Sequence, residues 1–178
     1  MAKKDKDDGG IFDWVKTIAY ALVLAGVIRT FFFQPFWIPS GSMKDTLLVG
    51  DFLFVNKMAY GYSRYSCPFS LCAFSGRILA SQPKRGDVVV FKNPSNKADF
   101  IKRLIGLPGD RIQMKKGLLY INGTPVKVKP DGTFDEIKAP QGPMGEIPRC
   151  ENDPVPIGGV CKKARFRETL PNGVTHDI

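Results

Sequence analysis

A single histidine, His176, stands among the 178 residues, and that scarcity excludes a great deal. Multi-histidine metal sites and most haem ligation need more imidazole than this. Any Ser-His-Asp triad would have to use His176. Arg and Lys form no stripe interleaved with aromatics and no nucleic-acid-binding module is recognisable, so no nucleic-acid partner is expected. Long apolar runs are missing after residue 40, and with 14 Pro and 18 Gly the sequence reads as a loop-rich β protein, not a helical bundle. The 43% hydrophobic and 24% charged fractions rule out wholesale disorder, and the length suits one domain with an appendage. Acidic groups are the minority, 17 against 26 basic, for a net charge of +9. Residues 1–40 carry +1 of this and residues 41–178 carry +8, a solvated basic surface that does not by itself choose a partner.

What is present begins at the N-terminus. Met1 to Gly10 is polar and rich in Lys and Asp, a tail. Ile18 to Ile28 is uncharged, and Thr17 to Phe33 gives 17 residues with Arg29 as the only charge. As a helix that stretch is roughly 25 Å long, the lower limit for crossing a bilayer. Trp14, Phe36 and Trp37 fall where an interfacial aromatic belt belongs. A cleavable leader would leave through small residues, whereas this run leaves through Arg29, Thr30 and three Phe, which favours a retained anchor over a leader or a buried helix. Lys3, Lys4, Lys6 and Lys16 precede the span, so the positive-inside rule places residues 1–12 in the cytoplasm, 13–35 in the membrane and 36–178 outside.

Four cysteines agree with export. The spacings Cys67-x4-Cys72 and Cys150-x10-Cys161 match no zinc pattern, and disulfides are expected in their place. Three pairings are open; the two nearest-neighbour ones are favoured, and free buried thiols are the alternative.

Short β signals dominate from residue 51 onward. Strands are expected at 51–57, 88–91, 100–107, 111–115, 118–121 and 124–128, with Asn122-Gly123 as a type I′ hairpin turn. Residues 130–173 hold seven of the fourteen prolines and no long apolar run, and read as an extended surface excursion.

Chemistry-bearing residues fall in two stretches. In Ile38-Pro39-Ser40-Gly41-Ser42-Met43-Lys44-Asp45-Thr46-Leu47, one serine hydroxyl could be a nucleophile and the other could face a developing oxyanion. Ser42-x-x-Asp45 equally fits a capping box. Ser42 lies nine residues after Phe33, within about 30 Å of the end of the apolar run. In Phe100-Ile101-Lys102-Arg103-Leu104-Ile105-Gly106, a strand puts Lys102 on one face with Phe100 and Leu104. Burial there would lower the amine pKa and let it act as the base for a serine, whereas a lysine whose stem merely covers apolar surface is the common alternative.

Taken together, P-S-G-S-M-K-D-T-L-L-V-G-D-F, R-G-D-V-V-V-F and I-K-R-L-I-G-L-P-G-D-R-I, in this order, closely resemble the bacterial type I signal peptidases. The resemblance runs from about Trp14 to Ile178. It implies a mostly β fold, an antiparallel signal-peptidase-like β domain behind an N-terminal transmembrane helix. It implies a Ser/Lys endopeptidase of the bacterial inner membrane, with no cofactor or metal, whose partners are membrane lipid and the signal peptides of secretory preproteins. Ser42 would be the nucleophile, Lys102 the general base, and Ser40 with the Ser42 N–H the oxyanion hole. Phe36, Ile38, Pro39, Met43, Leu47, Phe100 and Ile101 would line small subsites that take Ala-x-Ala before the cut. Two departures stand out. Asp45 replaces the family's usual Pro, and nothing resembles the later block G-D-N-R-x-x-S-x-D-S-R, whose Ser orients the lysine. The resemblance therefore implies an incomplete chain with negligible activity in its 178-residue form. A membrane-tethered β module that binds exported proteins without cutting is the alternative. A Ser42/His176 hydrolase is a weaker one, for want of a G-x-S-x-G elbow.

Overall fold

The computed structural model describes residues 10–67 and 73–178. The Lys-rich tail and Cys72 thus lie outside the described residues. Helix α1 (Ile11–Phe31) is followed by strands β1 (Phe33–Trp37), β2 (Phe52–Asn56), β3 (Tyr62–Ser63), β4 (Arg77–Ile78), β5 (Val88–Lys92), β6 (Asp99–Arg103), β7 (Ile112–Lys115), β8 (Leu118–Ile121), β9 (Thr124–Pro125), β10 (Lys127–Ile137), β11 (Val160–Thr169) and β12 (Thr175–Asp177). The fold is mostly antiparallel β with one N-terminal apolar helix, as the sequence implied. Two compact units divide the chain, one of residues 1–35 and 54–82, the other of residues 36–53 and 83–178.

In the first unit, α1 is long and apolar enough to cross a membrane, and none of its residues is buried. Its 21 residues rise about 31 Å, close to a hydrocarbon core. The helix begins at Ile11, seven residues before the uncharged run from Ile18, and Asp13 and Lys16 pair on its exposed first turn, 3.7 Å apart. Its end is fixed by the Phe32 N–H on the Ile28 carbonyl, by the Tyr62 hydroxyl on the Phe31 carbonyl (2.9 Å), and by the Phe31 and Tyr62 rings meeting edge to face.

The second unit is built from hairpins. Asn122 and Gly123 have φ of 53° and 83°, the pair of left-handed residues a type I′ turn requires, and they join β8 to β9. Its core is Ile121, Val126 and Leu170 with Ile105 and Leu119 packed against them. The largest departure from the sequence reading is β10 and β11. The region expected to be an excursion contains the two longest strands, paired from Lys127↔Thr169 to Ile137↔Val160. Nearly half of their residues are charged and few are buried, so the apolar periodicity that marks a half-buried strand is faint. The prolines fit once the ladder is seen: Pro130 sits where the register shifts, and Pro140 to Pro156 fall in the loop between the strands. β12 adds to β11 with His176 opposite Glu168.

Cys150 and Cys161 are disulfide-bonded, the second of the two favoured pairings. Cys67 is also disulfide-bonded; the partner favoured for it, Cys72, lies outside the described residues.

Candidate active site

Gly41–Met43 forms a single 3₁₀ turn between two buried anchors, Ile38 at 1% exposure and Met43 at 7%. Ile38 is locked by backbone bonds, its N–H on the Asp51 carbonyl and its carbonyl receiving the Gly50 N–H, both at 2.9 Å. The Asp51 carboxylate accepts the Leu48 N–H at 2.8 Å and closes the far side of the loop. Packing its neighbours inward leaves Ser42 exposed at the crest. Ser42 is the middle residue of the turn, so it is not the cap that a capping box would make it. Ser40 precedes the turn in extended conformation, and its hydroxyl makes no capping bond. That hydroxyl lies 3.4 Å from Ser42 Oγ.

Lys102 comes from β6, paired with Val89 of β5. It is half-buried, and its Nζ is hydrogen-bonded to Ser42 Oγ. The two serines and the lysine, drawn from stretches 60 residues apart, thus converge at one point. Arg103 secures that meeting. Its guanidinium donates to the Gly86 carbonyl and to the Thr46 hydroxyl, each at 2.9 Å, tying the end of β6 to the serine loop. Arg103 was not singled out from sequence, and its place beside Lys102 was the only signal for it.

A groove of about 380 Å³ opens at the serines, lined by Pro39, Ser40, Gly41 and Ser42 and by Gln141, Ile147 and Pro148 of the later loop. Of the apolar residues expected to line subsites, Pro39 borders this groove. Ile38 and Met43 lie beneath the turn, and Phe36, Leu47 and Ile101 are half-buried. Phe100 is partly exposed and stacks edge-on against Phe91, with ring centres 6.1 Å apart.

Behind the groove sits a cluster that sequence reasoning missed. Glu136 of β10, whose side chain is 9% exposed, accepts from Lys44 Nζ at 2.5 Å, from Lys163 Nζ at 2.6 Å and from Gln141 Nε2 at 2.9 Å. Burial alone would push the Glu136 carboxyl up, but the three donors outweigh it and hold its pKa at about 2, against 4.5 ordinarily. Because the folded value is the lower one, the stabilisation is complete above pH 4.5 and is lost as pH falls towards about 2. We expect the thermal midpoint of the wild-type protein to drop across that window and that of Glu136→Gln to drop less, as read by circular dichroism. Parallel curves would show that Glu136 is not the group involved.

Asp45 turns inward, its carboxylate 3.9 Å from Arg165. Burial pushes its pKa up, Arg165 opposes this, and Asp177 and Asp131 add to it. His176 is not gathered into the site. Its Nε2 lies 3.2 Å from Glu168 Oε2, both side chains are under 9% exposed, and its Nδ1 is buried without a partner. Burial lowers the His176 pKa, with Arg103 acting in the same direction, and burial raises that of Glu168.

The chain as a whole has relatives among known proteins. Residues 11–160 match the family model described as signal peptidase, peptidase S26, and the chain belongs to that family. It is 40% identical over 167 residues to the signal peptidase I of Rickettsia canadensis (strain McKiel), covering 92% of this chain and 55% of that protein. The signal peptidase I of Rickettsia prowazekii (strain Madrid E) is 40% identical over 163 residues, covering 90% of this chain and 54% of the relative. The chain thus spans about half the length of these relatives.

Proposed function

We propose that the protein is a membrane-anchored serine endopeptidase that removes signal peptides from exported preproteins, cutting after small residues in Ala-x-Ala sequences. The observation that carries this reading is the hydrogen bond between Lys102 Nζ and Ser42 Oγ. In it, the Lys102 amine takes the hydroxyl proton as Ser42 Oγ attacks the scissile carbonyl. The Ser40 hydroxyl and the Ser42 N–H receive the negative charge that builds on the carbonyl oxygen. As the C–N bond breaks, the ammonium returns its proton to the leaving amine, and water then releases the acyl group by the same route reversed. α1 is read as a single span of the bacterial cytoplasmic membrane, with the lysines before it holding the N-terminus in the cytoplasm and the β domain outside. Membrane lipid and signal peptides are then its two partners.

The test is incubation in detergent with a precursor carrying an Ala-x-Ala site, using residues 1–178 and a protein of the relatives' full length that contains them. We expect the longer protein to make a single cut after the second Ala, located by mass spectrometry, and His176→Ala to leave its rate unchanged. Binding of the precursor without any cut in the longer protein would favour a non-catalytic β module. A loss of rate on replacing His176 would favour an imidazole base.

A further inference from the structure

Lys44 follows the nucleophile by two residues, and its side chain runs back across the turn. A methyl group on Gly41 would meet Lys44 Cε at 2.9 Å and Cδ at 3.3 Å, so the lysine stem lies directly against the residue between the two serines. The stem is not free to leave. The Lys44 side chain is 16% exposed, and its ammonium is held by Glu136 Oε2 at 2.5 Å and Gln141 Oε1 at 2.7 Å. Glu136 is itself fixed by its place in the β10/β11 ladder, opposite Cys161, and by Lys163 of β11. The far side of the turn is pressed equally closely. Gly142 has φ of 66°, and its Cα sits so near the Pro39 carbonyl oxygen that no side chain fits between. The serine turn is therefore gripped between a rigid ribbon and the loop that leaves it.

We propose that Glu136 is a positioning residue: through Lys44 it holds the Gly41–Met43 turn at the setting where Ser42 Oγ meets Lys102 Nζ. The inference rests on reading Ser42 and Lys102 as the reacting pair. Glu136 touches neither of them, and its effect is mechanical. A carboxylate held between two lysines clamps one of them over Gly41. Without it, Lys44 is released to solvent, and the turn can rotate about Ile38 and Met43. A displacement on the order of 1 Å at a nucleophile can cost about a hundred-fold in rate.

A test that does not require peptidase activity uses Ser42→Cys in otherwise unchanged protein in detergent without reductant, with iodoacetamide as the probe. A thiol that can pass its proton to a neighbouring lysine amine, leaving a thiolate–ammonium pair, ionises below the free value of about 8.5. The pH midpoint of alkylation, corrected for the parent protein, therefore reports how close residue 42 lies to Lys102. We expect Glu136→Gln to raise that midpoint by about one pH unit, and Glu136→Asp, which keeps the charge but withdraws it by one methylene, to raise it by about half as much. The sign separates the mechanism from a simple field effect, because deleting a negative charge would lower a thiol midpoint. Lys138→Gln, which breaks the 2.6 Å pair with Asp153 elsewhere in the same loop, should leave the midpoint where it was. In the full-length peptidase, Glu136→Gln should lower kcat on the order of ten-fold with KM nearly constant. An unmoved or lowered midpoint in both Glu136 variants overturns the proposal, as does an equal rise in Lys138→Gln. An uncut precursor with the expected midpoint shifts would leave the positioning intact and overturn the peptidase reading instead.

Discussion

Replacing Ser42 by Ala, or Lys102 by Met, is expected to lower kcat/KM for an Ala-x-Ala precursor by on the order of 10⁴-fold or more in the protein of the relatives' length. The two losses should be similar, and the double variant should be no worse than either single one, because a nucleophile without its base and a base without its nucleophile fail at the same step. Lys102 Nζ bonds directly to Ser42 Oγ, with no intervening group to take over its role. Lys102→Arg should be as inactive as Lys102→Met, since a guanidinium keeps its proton throughout the working range and cannot accept another. Measurement by single-turnover cleavage separates binding from chemistry. If Lys102→Arg retained more than a small fraction of wild-type activity, the lysine would be an electrostatic aid and some other group would be the base.

Ser40→Ala is expected to cost about 10²–10³ in kcat with little change in KM, the usual loss for one oxyanion donor. The basis is where its hydroxyl stands. A serine at the start of a turn ordinarily spends its oxygen on the turn's own N–H groups. This one does not, and lies 3.4 Å from Ser42 Oγ. It is therefore available to a charge that forms only during reaction. Ser40→Thr keeps the hydroxyl and should recover most of the rate. A loss that appears in KM and spares kcat would mean that Ser40 binds the ground state only.

How much of this was legible before any coordinates depended on the range over which each signal acts. Asn122-Gly123 declared its turn because the requirement for two left-handed residues is local. Ser42 and Lys102 were legible because each sits in a short run whose order resembles a known family, and the structure brings the two into contact. Glu136 carried no such mark. It meets Lys44 across 92 positions, a separation that no local pattern spans. The ribbon of β10 and β11 was itself hidden, since Lys162, Lys163, Arg165 and Arg167 give a strand the polarity of a loop. Arg103 was overshadowed by its neighbour. Reading Lys102 as a base drew attention to one face of β6, while the clamp on Thr46 comes from the next residue along.

The bond between Cys150 and Cys161 gives the groove an address as well as a shape. Cys161 is fully buried on β11 and stands across the ladder from Glu136, while Cys150 lies two residues past Pro148 on the groove wall. The loop that supplies Gln141 is thus pinned at its far end by a link that forms readily outside the cytoplasm and is kept open within it. On the reading of α1 as an anchor, a chain still on the inner side of the membrane holds its serine beside an unfastened wall, and crossing the bilayer supplies the fastening.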